Sequence, residues 1–333
     1  MTRTHTTGLM MVVIALAGCD CEIFIDDPGP IGEPWTVSTM PKPRLETAAG
    51  ALGTRLVIAG GFSANLAAGL PITTKVLTFD TLRDDLPDAE RWASLPDLPV
   101  AWTHGNLAAV GGAVFLLGGL EGDAFAANGA SFVLEPEATE WTPLDAMPEG
   151  EARGAAAVVV SQGHVFLLGG ADGTMLFSST LDFDIGTRTW SRLAVELPTP
   201  RSHAAAIRRF DGTFILAGGV GTNGVFGDTF ALPQDATLWE IREPMPTPRG
   251  GCAYGAVFTN LICAGGESGA EALAVVEQYD ANTNTWITLE SMPEPRAGAT
   301  GTVVSNQLFV PGGSSTLDFE PTDTLFVFSP TVR

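Results

Sequence analysis

Short apolar runs that end in paired glycines recur along this chain, as in Val165-Phe-Leu-Leu-Gly-Gly170, Phe214-Ile-Leu-Ala-Gly-Gly219 and Leu308-Phe-Val-Pro-Gly-Gly313. Before each lies a run of small residues, for example Arg153-Gly-Ala-Ala-Ala-Val-Val-Val160 or Arg296-Ala-Gly-Ala-Thr-Gly-Thr-Val-Val304. After each come a mixed polar and apolar segment, a turn and a tryptophan. A continuous apolar run bounded by turn residues predicts a strand buried on both faces. Runs of Gly and Ala predict strands whose backbones approach one another closely. Residues 275–313 contain the whole pattern: a strand from Val276 to Asp280, a turn, a strand around Trp286, a Pro293-Glu-Pro-Arg296 corner, and a hairpin ending at Gly312-Gly313.

The pattern is a repeat. Glycine pairs stand at Gly60-Gly61, Gly118-Gly119, Gly169-Gly170, Gly218-Gly219, Gly265-Gly266 and Gly312-Gly313. Tryptophans follow at Trp35, Trp92, Trp141, Trp190, Trp239 and Trp286, in steps of 57, 49, 49, 49 and 47 residues. A period near 50 with paired glycines and a regular tryptophan resembles the kelch-repeat family. The resemblance covers nearly all of the chain beyond its N-terminal segment and implies an all-β, six-bladed β-propeller with four antiparallel strands per blade, a, b, c and d from the axis outward.

Spacing also predicts how the ring closes. The second glycine of each pair precedes the next tryptophan by 31, 22, 20, 20 and 20 residues, and counting 20 from Gly313 reaches the last residue, Arg333. The sixth blade therefore lacks a tryptophan strand of its own, and Trp35 supplies a spare one. Residues 34–39 are expected as the outer strand of the last blade, beside residues 324–329. The domain boundaries expected are 1–18, 19–33 and 34–333.

Because strands alternate in direction, the d–a and b–c connections of every blade emerge at one face. That face is expected to gather Arg44, Arg153, Arg201, Arg249 and Arg296 from the Pro-x-Pro-Arg corners, with Trp102 and His104 in the divergent second unit and His203 after Arg201. The b–c loops add Glu121, Asp123 and Glu267, with Asp172 and Asn223. An arginine repeated at one motif position fits two roles: pairing within the scaffold, or a ring of planar forks for carboxylates and sugars. Trp102 fits a rim packing residue or an aromatic platform. The first unit has inserts on both faces, at residues 62–73 and 81–91, and loops on a rigid scaffold often carry function.

Composition narrows the partners. A net charge of −21 disfavours nucleic acid and anionic lipid surfaces, since phosphate affinity comes from Lys and Arg clusters. Residues 1–18 carry Arg3, the apolar run from Leu9 to Gly18, and then Cys19. That run is about half the ~20 residues a membrane span needs, so it reads as a signal-peptide core. Leu16-Ala17-Gly18-Cys19 looks like a bacterial lipobox, making Cys19 the lipidation site, residues 19–33 an acidic tether, and the envelope the destination. The hairpin register that pairs Phe258 with Leu261 places Cys263 opposite Ala256, so Cys252 and Cys263 are expected as separate buried thiols.

Catalytic signatures are sparse. G-x-S-x-G, H-E-x-x-H, a P-loop and a CxxC pair are all missing from the sequence. Copper radical oxidases that resemble this fold need a Tyr–Cys crosslink and histidine ligands, and no histidine cluster with ligand spacing occurs. No cofactor and no metal is therefore expected. Periplasmic sialic-acid mutarotases are kelch propellers too and use arginines with an acid/base residue, a role open to Glu267 or Glu121. The reading is a monomeric, lipid-anchored module that binds a protein or glycan at the d–a/b–c face, with a sugar-modifying enzyme as the alternative.

Overall fold

The computed structural model describes residues 34–63, 69 and 71–330. The segment 1–33, with its signal-peptide and lipidation readings, lies outside the described residues, as do 64–68 and 70 of the first insert. Among the described residues, no helix is long and apolar enough to cross a membrane.

Six four-stranded antiparallel sheets surround a central channel. Blade 3 is representative, with strands Ala157–Ser161, His164–Leu168, Thr180–Asp184 and Thr189–Arg192 in that order outward. The inner strands are small where the sequence pattern requires it: Ala49, Gly50, Ala108, Ala109, Ala156 and Gly301 line the channel. Tyr254 crosses it, its hydroxyl accepting from Val158 N at 2.8 Å. Burial pushes that phenol up to about 12.

The apolar b strands are enclosed as expected. His164–Leu168 and Arg55–Ala59 are buried after their first residue. The core is divided into six apolar clusters, one between each pair of adjacent blades. Leu56, Ile58, Phe79, Val304, Phe309 and Leu325 form the one that joins blade 1 to blade 6.

The ring closes through the N-terminal strand. Trp35–Arg44 pairs with Thr322–Phe328, Trp35 facing Phe328 and Thr39 facing Thr324. Trp35 does what Trp92, Trp141, Trp190 and Trp286 do, Trp239 being the exception with no partner for its indole N–H among the described residues. The Trp35 indole donates to Glu290 O of the preceding blade at 3.2 Å, as Trp92 does to Thr39 O (2.9 Å), Trp141 to Pro96 O (3.0 Å) and Trp190 to Asp145 O (3.0 Å).

One expectation is corrected here. Cys252 and Cys263 form a disulfide with Cα atoms 5.6 Å apart. The hairpin turns at Phe258-Thr259, with Val257 opposite Asn260, so Cys263 faces Tyr254 and lies diagonal to Cys252. Phe258 takes a left-handed conformation (φ 55°) to make that turn, which apolar patterning does not reveal. Cross-linking residues 11 apart is worth about 3 kcal/mol through the unfolded chain. Replacing both cysteines with alanine should lower the unfolding free energy by about 2–3 kcal/mol. The variant's denaturation midpoint should ignore reductant, while the wild-type midpoint falls towards it.

Candidate functional site

The glycine pairs and the recurrent arginines form one device that joins blades. The first glycine of each pair lies under the backbone of the next corner. A Cβ on Gly169 would meet Arg201 O at 2.3 Å, and one on Gly312 would meet Arg44 O at 2.2 Å. The second glycine donates to that same carbonyl: Gly170 to Arg201, Gly219 to Arg249, Gly266 to Arg296 and Gly313 to Arg44, at 2.7–2.9 Å. The arginine side chain then turns into its own blade. Arg153 Nη1 donates to Gly169 O (3.0 Å) and Arg201 Nη1 to Gly218 O (2.9 Å), while Arg249 Nη2 reaches Cys263 O (3.0 Å).

Of the two roles open to the recurrent arginines, their burial favours pairing within the scaffold. Arg44, Arg153, Arg201, Arg249 and Arg296 are all buried, none more than 4% exposed. Four are neutralised by a carboxylate: Arg153 by Glu151, Arg201 by Asp228 (2.6 Å), Arg249 by Glu277 (2.6 Å) and Arg296 by Glu294 (3.0 Å). Arg153, Arg201 and Arg296 also stack on Phe177, Phe226 and Phe326. Burial lowers the Arg153 guanidinium to about 10 even beside Glu151. Trp102 occupies the arginine position in unit two and is equally buried, its ring against Phe132.

The residue after each arginine pairs with the residue after each glycine pair. The bridges are Leu45–Phe62, Thr103–Leu120, Gly154–Ala171, Ser202–Val220, Gly250–Glu267 and Ala297–Ser314. The d–a and b–c loops thus meet at one face, as strand alternation requires.

The next position, two after the arginine, forms a collar at the channel mouth: Glu46, His104, Ala155, His203, Gly251 and Gly298. Each takes a left-handed backbone, φ between 51° and 63°. A chain of backbone hydrogen bonds runs round the collar, five of the six residues donating to the collar carbonyl of the preceding blade. Glu46 N bonds Gly298 O, His104 N bonds Glu46 O, Ala155 N bonds His104 O, His203 N bonds Ala155 O and Gly251 N bonds His203 O, at 2.8–3.1 Å. Glycine accepts this conformation without cost, whereas other residues pay about 1–3 kcal/mol each. Glu46, His104 and His203 are therefore kept at a conformational expense. Gly298 makes room for the carboxylate, since a Cβ there would lie 2.7 Å from Glu46 Oε1.

The collar floors a funnel of about 440 Å³ whose wall includes Leu120, Phe125, Glu267, Leu317 and Phe319. His104 and His203 meet edge to face with centroids 5.2 Å apart, and Phe125 packs edge-on against His104. Burial lowers both imidazoles to about 4, so both are neutral at pH 7. Burial raises the Glu46 carboxyl, and burial together with the Glu46 charge raises that of Glu267.

Of the residues singled out from sequence, His104, His203 and Glu267 come together in the funnel. Glu121 stays on the blade-2 hairpin beside Asn128 (3.2 Å), and Asp123 is exposed at its tip. Glu46 escaped notice because it shares no local motif with the histidines. Its signal was register: aligning the six corners on their arginine shows Glu, His, Ala, His, Gly and Gly two positions on. Spacing along the sequence shows no ligand cluster for the same reason, because His104 and His203 lie on different blades and only ring closure brings Glu46 to them.

This six-bladed ring of glycine-paired repeats defines a kelch propeller. The family model described as the KLHDC2/KLHL20/DRC7 Kelch-repeats domain matches residues 104–316, and the chain belongs to the kelch-repeat family. It is 31% identical to Kelch-like protein terF of Aspergillus terreus (strain NIH 2624 / FGSC A1156) over 311 residues, covering 84% of this chain and 65% of that protein. It is 32% identical to human Kelch-like protein 34 over 246 residues, covering 69% of this chain and 33% of that protein. The Rab9 effector protein with kelch motifs of Bos taurus is 32% identical over 133 residues, 37% of this chain and 36% of that protein. The chain thus spans less than two-thirds of these relatives' lengths. Kelch propellers generally bind protein partners.

Proposed function

We propose that this propeller is a binding module that presents its d–a/b–c face to a protein or glycan, tethered to a bacterial envelope membrane through a lipidated Cys19. The observation that carries the reading is the collar. Three ionisable side chains are held in left-handed backbone at the floor of an open, apolar-walled funnel, at positions where two other blades carry glycine. An apolar wall with a few convergent polar groups is the common composition of ligand sites, and strained backbone gathers at functional sites.

The lipobox sequence supports the anchor. The Cys252–Cys263 disulfide supports an oxidising compartment such as the periplasm or cell surface. The sugar-modifying alternative is less well supported, because the corner arginines are sealed in the scaffold and the acids of the funnel, Glu46 and Glu267, have none of those arginines beside them in its lining.

A glycan array and a cross-linking pull-down with the full chain test the reading. Serine at both Phe125 and Phe319 should weaken any captured ligand at least tenfold. Serine at Phe210, which is fully exposed on the opposite face beside the Asp211-Gly212 turn, should leave it unchanged. Equal loss from both faces would refute a funnel-face site. A Cys19→Ser chain should leave the membrane fraction; its retention there would refute the anchor.

A further inference from the structure

We propose that Glu46, His104 and His203 bind one divalent first-row transition-metal ion, with zinc(II) as the reference ion, and leave a coordination position open to the funnel. The proposal is independent of whether the face also binds a protein or glycan.

The ligand atoms are already gathered. The carboxylate oxygen and the imidazole nitrogens offered by the three residues all lie within 4.8 Å of one another. His104 Nε2 stands 3.4 Å from Glu46 Oε2. Bonds of about 2.0–2.1 Å in a tetrahedral site make neighbouring ligands about 3.3 Å apart, so this pair already spans one edge. His203 completes the face from the other side of the collar.

The imidazoles are also oriented for it. Thr103 Oγ1 contacts both Glu46 O (3.2 Å) and His104 Nδ1 (3.0 Å), and since the carbonyl can only accept, the assignment that satisfies both contacts has the hydroxyl donating to Glu46 O and accepting from Nδ1. That places the ring proton on Nδ1 and leaves a lone pair on Nε2, facing Glu46. Ser202 Oγ stands at the same place beside His203 Nδ1, also at 3.0 Å. A hydrogen bond that fixes the distal ring nitrogen is the usual support behind a metal-bound histidine. Here both histidines are preceded by a buried hydroxyl residue, Thr103 and Ser202.

Apart from the contact between His104 Nε2 and Glu46 Oε2, the ligand atoms have no hydrogen-bond partner among the described residues. Among the described residues, no donor hydrogen-bonds the Glu46 carboxylate, and neither Nε2 makes a hydrogen bond, although the side chains of Glu46 and His104 are only 16% and 10% exposed. Converging, largely buried polar atoms with so few partners are costly unless something satisfies them. The collar's backbone hydrogen bonds hold all three residues in place, so little reorganisation accompanies binding. Two imidazoles and one carboxylate suit zinc, iron, nickel or copper better than magnesium or calcium. Three protein ligands with one open position make a site that can accept a further ligand. Glu267 stands in the funnel wall on the open side.

The test uses the full chain, treated with chelator and titrated with zinc(II) against a competing chromogenic chelator. One equivalent is expected to bind, and zinc X-ray absorption should show a nitrogen/oxygen shell near 2.0 Å without sulfur at about 2.3 Å. H104N, H203N and E46Q should each weaken binding at least tenfold; asparagine is chosen because it tolerates the left-handed backbone. E267Q should keep binding within about threefold of wild type. Zinc should raise the melting temperature of the wild type and not that of the H104N/H203N double variant. No binding, a sulfur shell, or binding unchanged in the double variant would overturn the site. The absorption spectrum of the wild type decides the matter even if a variant fails to fold.

Discussion

Deleting residues 34–40 from the full chain should lower the melting temperature by at least about 10 °C and broaden the transition. The segment completes blade 6. It carries Trp35, which is 8% exposed and packs against Phe328 and Phe326 at 4.9 and 6.2 Å, and Met40, which is 2% exposed. Burying a tryptophan removes about 200 Å² from water, worth roughly 5 kcal/mol at ~25 cal/mol/Å² as an upper bound. The deletion also unpairs Thr324–Phe328 and opens the only seam where strands from the two ends of the described chain meet. For a domain of this size each kcal/mol moves the melting point by about 2–4 °C. A synthetic peptide of residues 34–44 added in trans should restore part of the loss. An unchanged melting curve would mean that the ring does not depend on this strand.

Replacing Arg249 with leucine should cost about 3–5 kcal/mol, because it strands the Glu277 carboxylate in the interior. Both partners are 1% exposed, and their 2.6 Å contact is supplemented only by Thr247, whose hydroxyl donates to Glu277 Oε1 at 2.9 Å. The same change removes the donor to Cys263 O. Replacing both Arg249 and Glu277 with leucine should recover much of the loss, since an apolar pair leaves no buried charge uncompensated. Chemical denaturation of the two single variants and the double variant measures the coupling directly. Single-variant losses below about 1 kcal/mol would show that the pair is not a blade latch.

These two experiments probe features with different visibility in the sequence. The tryptophan spacing exposed the closing strand, because a propeller ring has a fixed blade count and a missing strand must come from elsewhere in the chain. The arginines were visible as a repeat, but not their direction. A corner arginine can point to solvent or into its own blade, and that choice depends on the carbonyls its own blade brings beneath it and on an acid from the corner itself (Glu151, Glu294) or from the c-strand region (Asp228, Glu277). Trp102 was read as a possible platform for the same reason. Its neighbours Leu98, Leu107 and Leu116 enclose it only once blades 1 and 2 pack.

Cys252 and Cys263 mark a further limit. Moving the two-residue turn by one position along the chain shifts the cross-strand pairing by two, which brings Cys263 from opposite Ala256 to opposite Tyr254, within reach of Cys252 on the same face. The turn rests on the left-handed conformation of Phe258, which a phenylalanine does not advertise.

Taken by itself, the sequence determined the repeat, the number of blades, the strand order, the seam at Trp35 and the face on which the d–a and b–c loops meet. All of these follow from local periodicity and from the alternation of strand direction. The tertiary structure alone decided which side chains that face exposes. It sealed the recurrent arginines into the blades and assembled Glu46, His104 and His203 from three separate blades. The physical reason is that the collar is built across the ring, by hydrogen bonds between consecutive blades, and proximity across a closed ring has no counterpart in the spacing of residues along a chain.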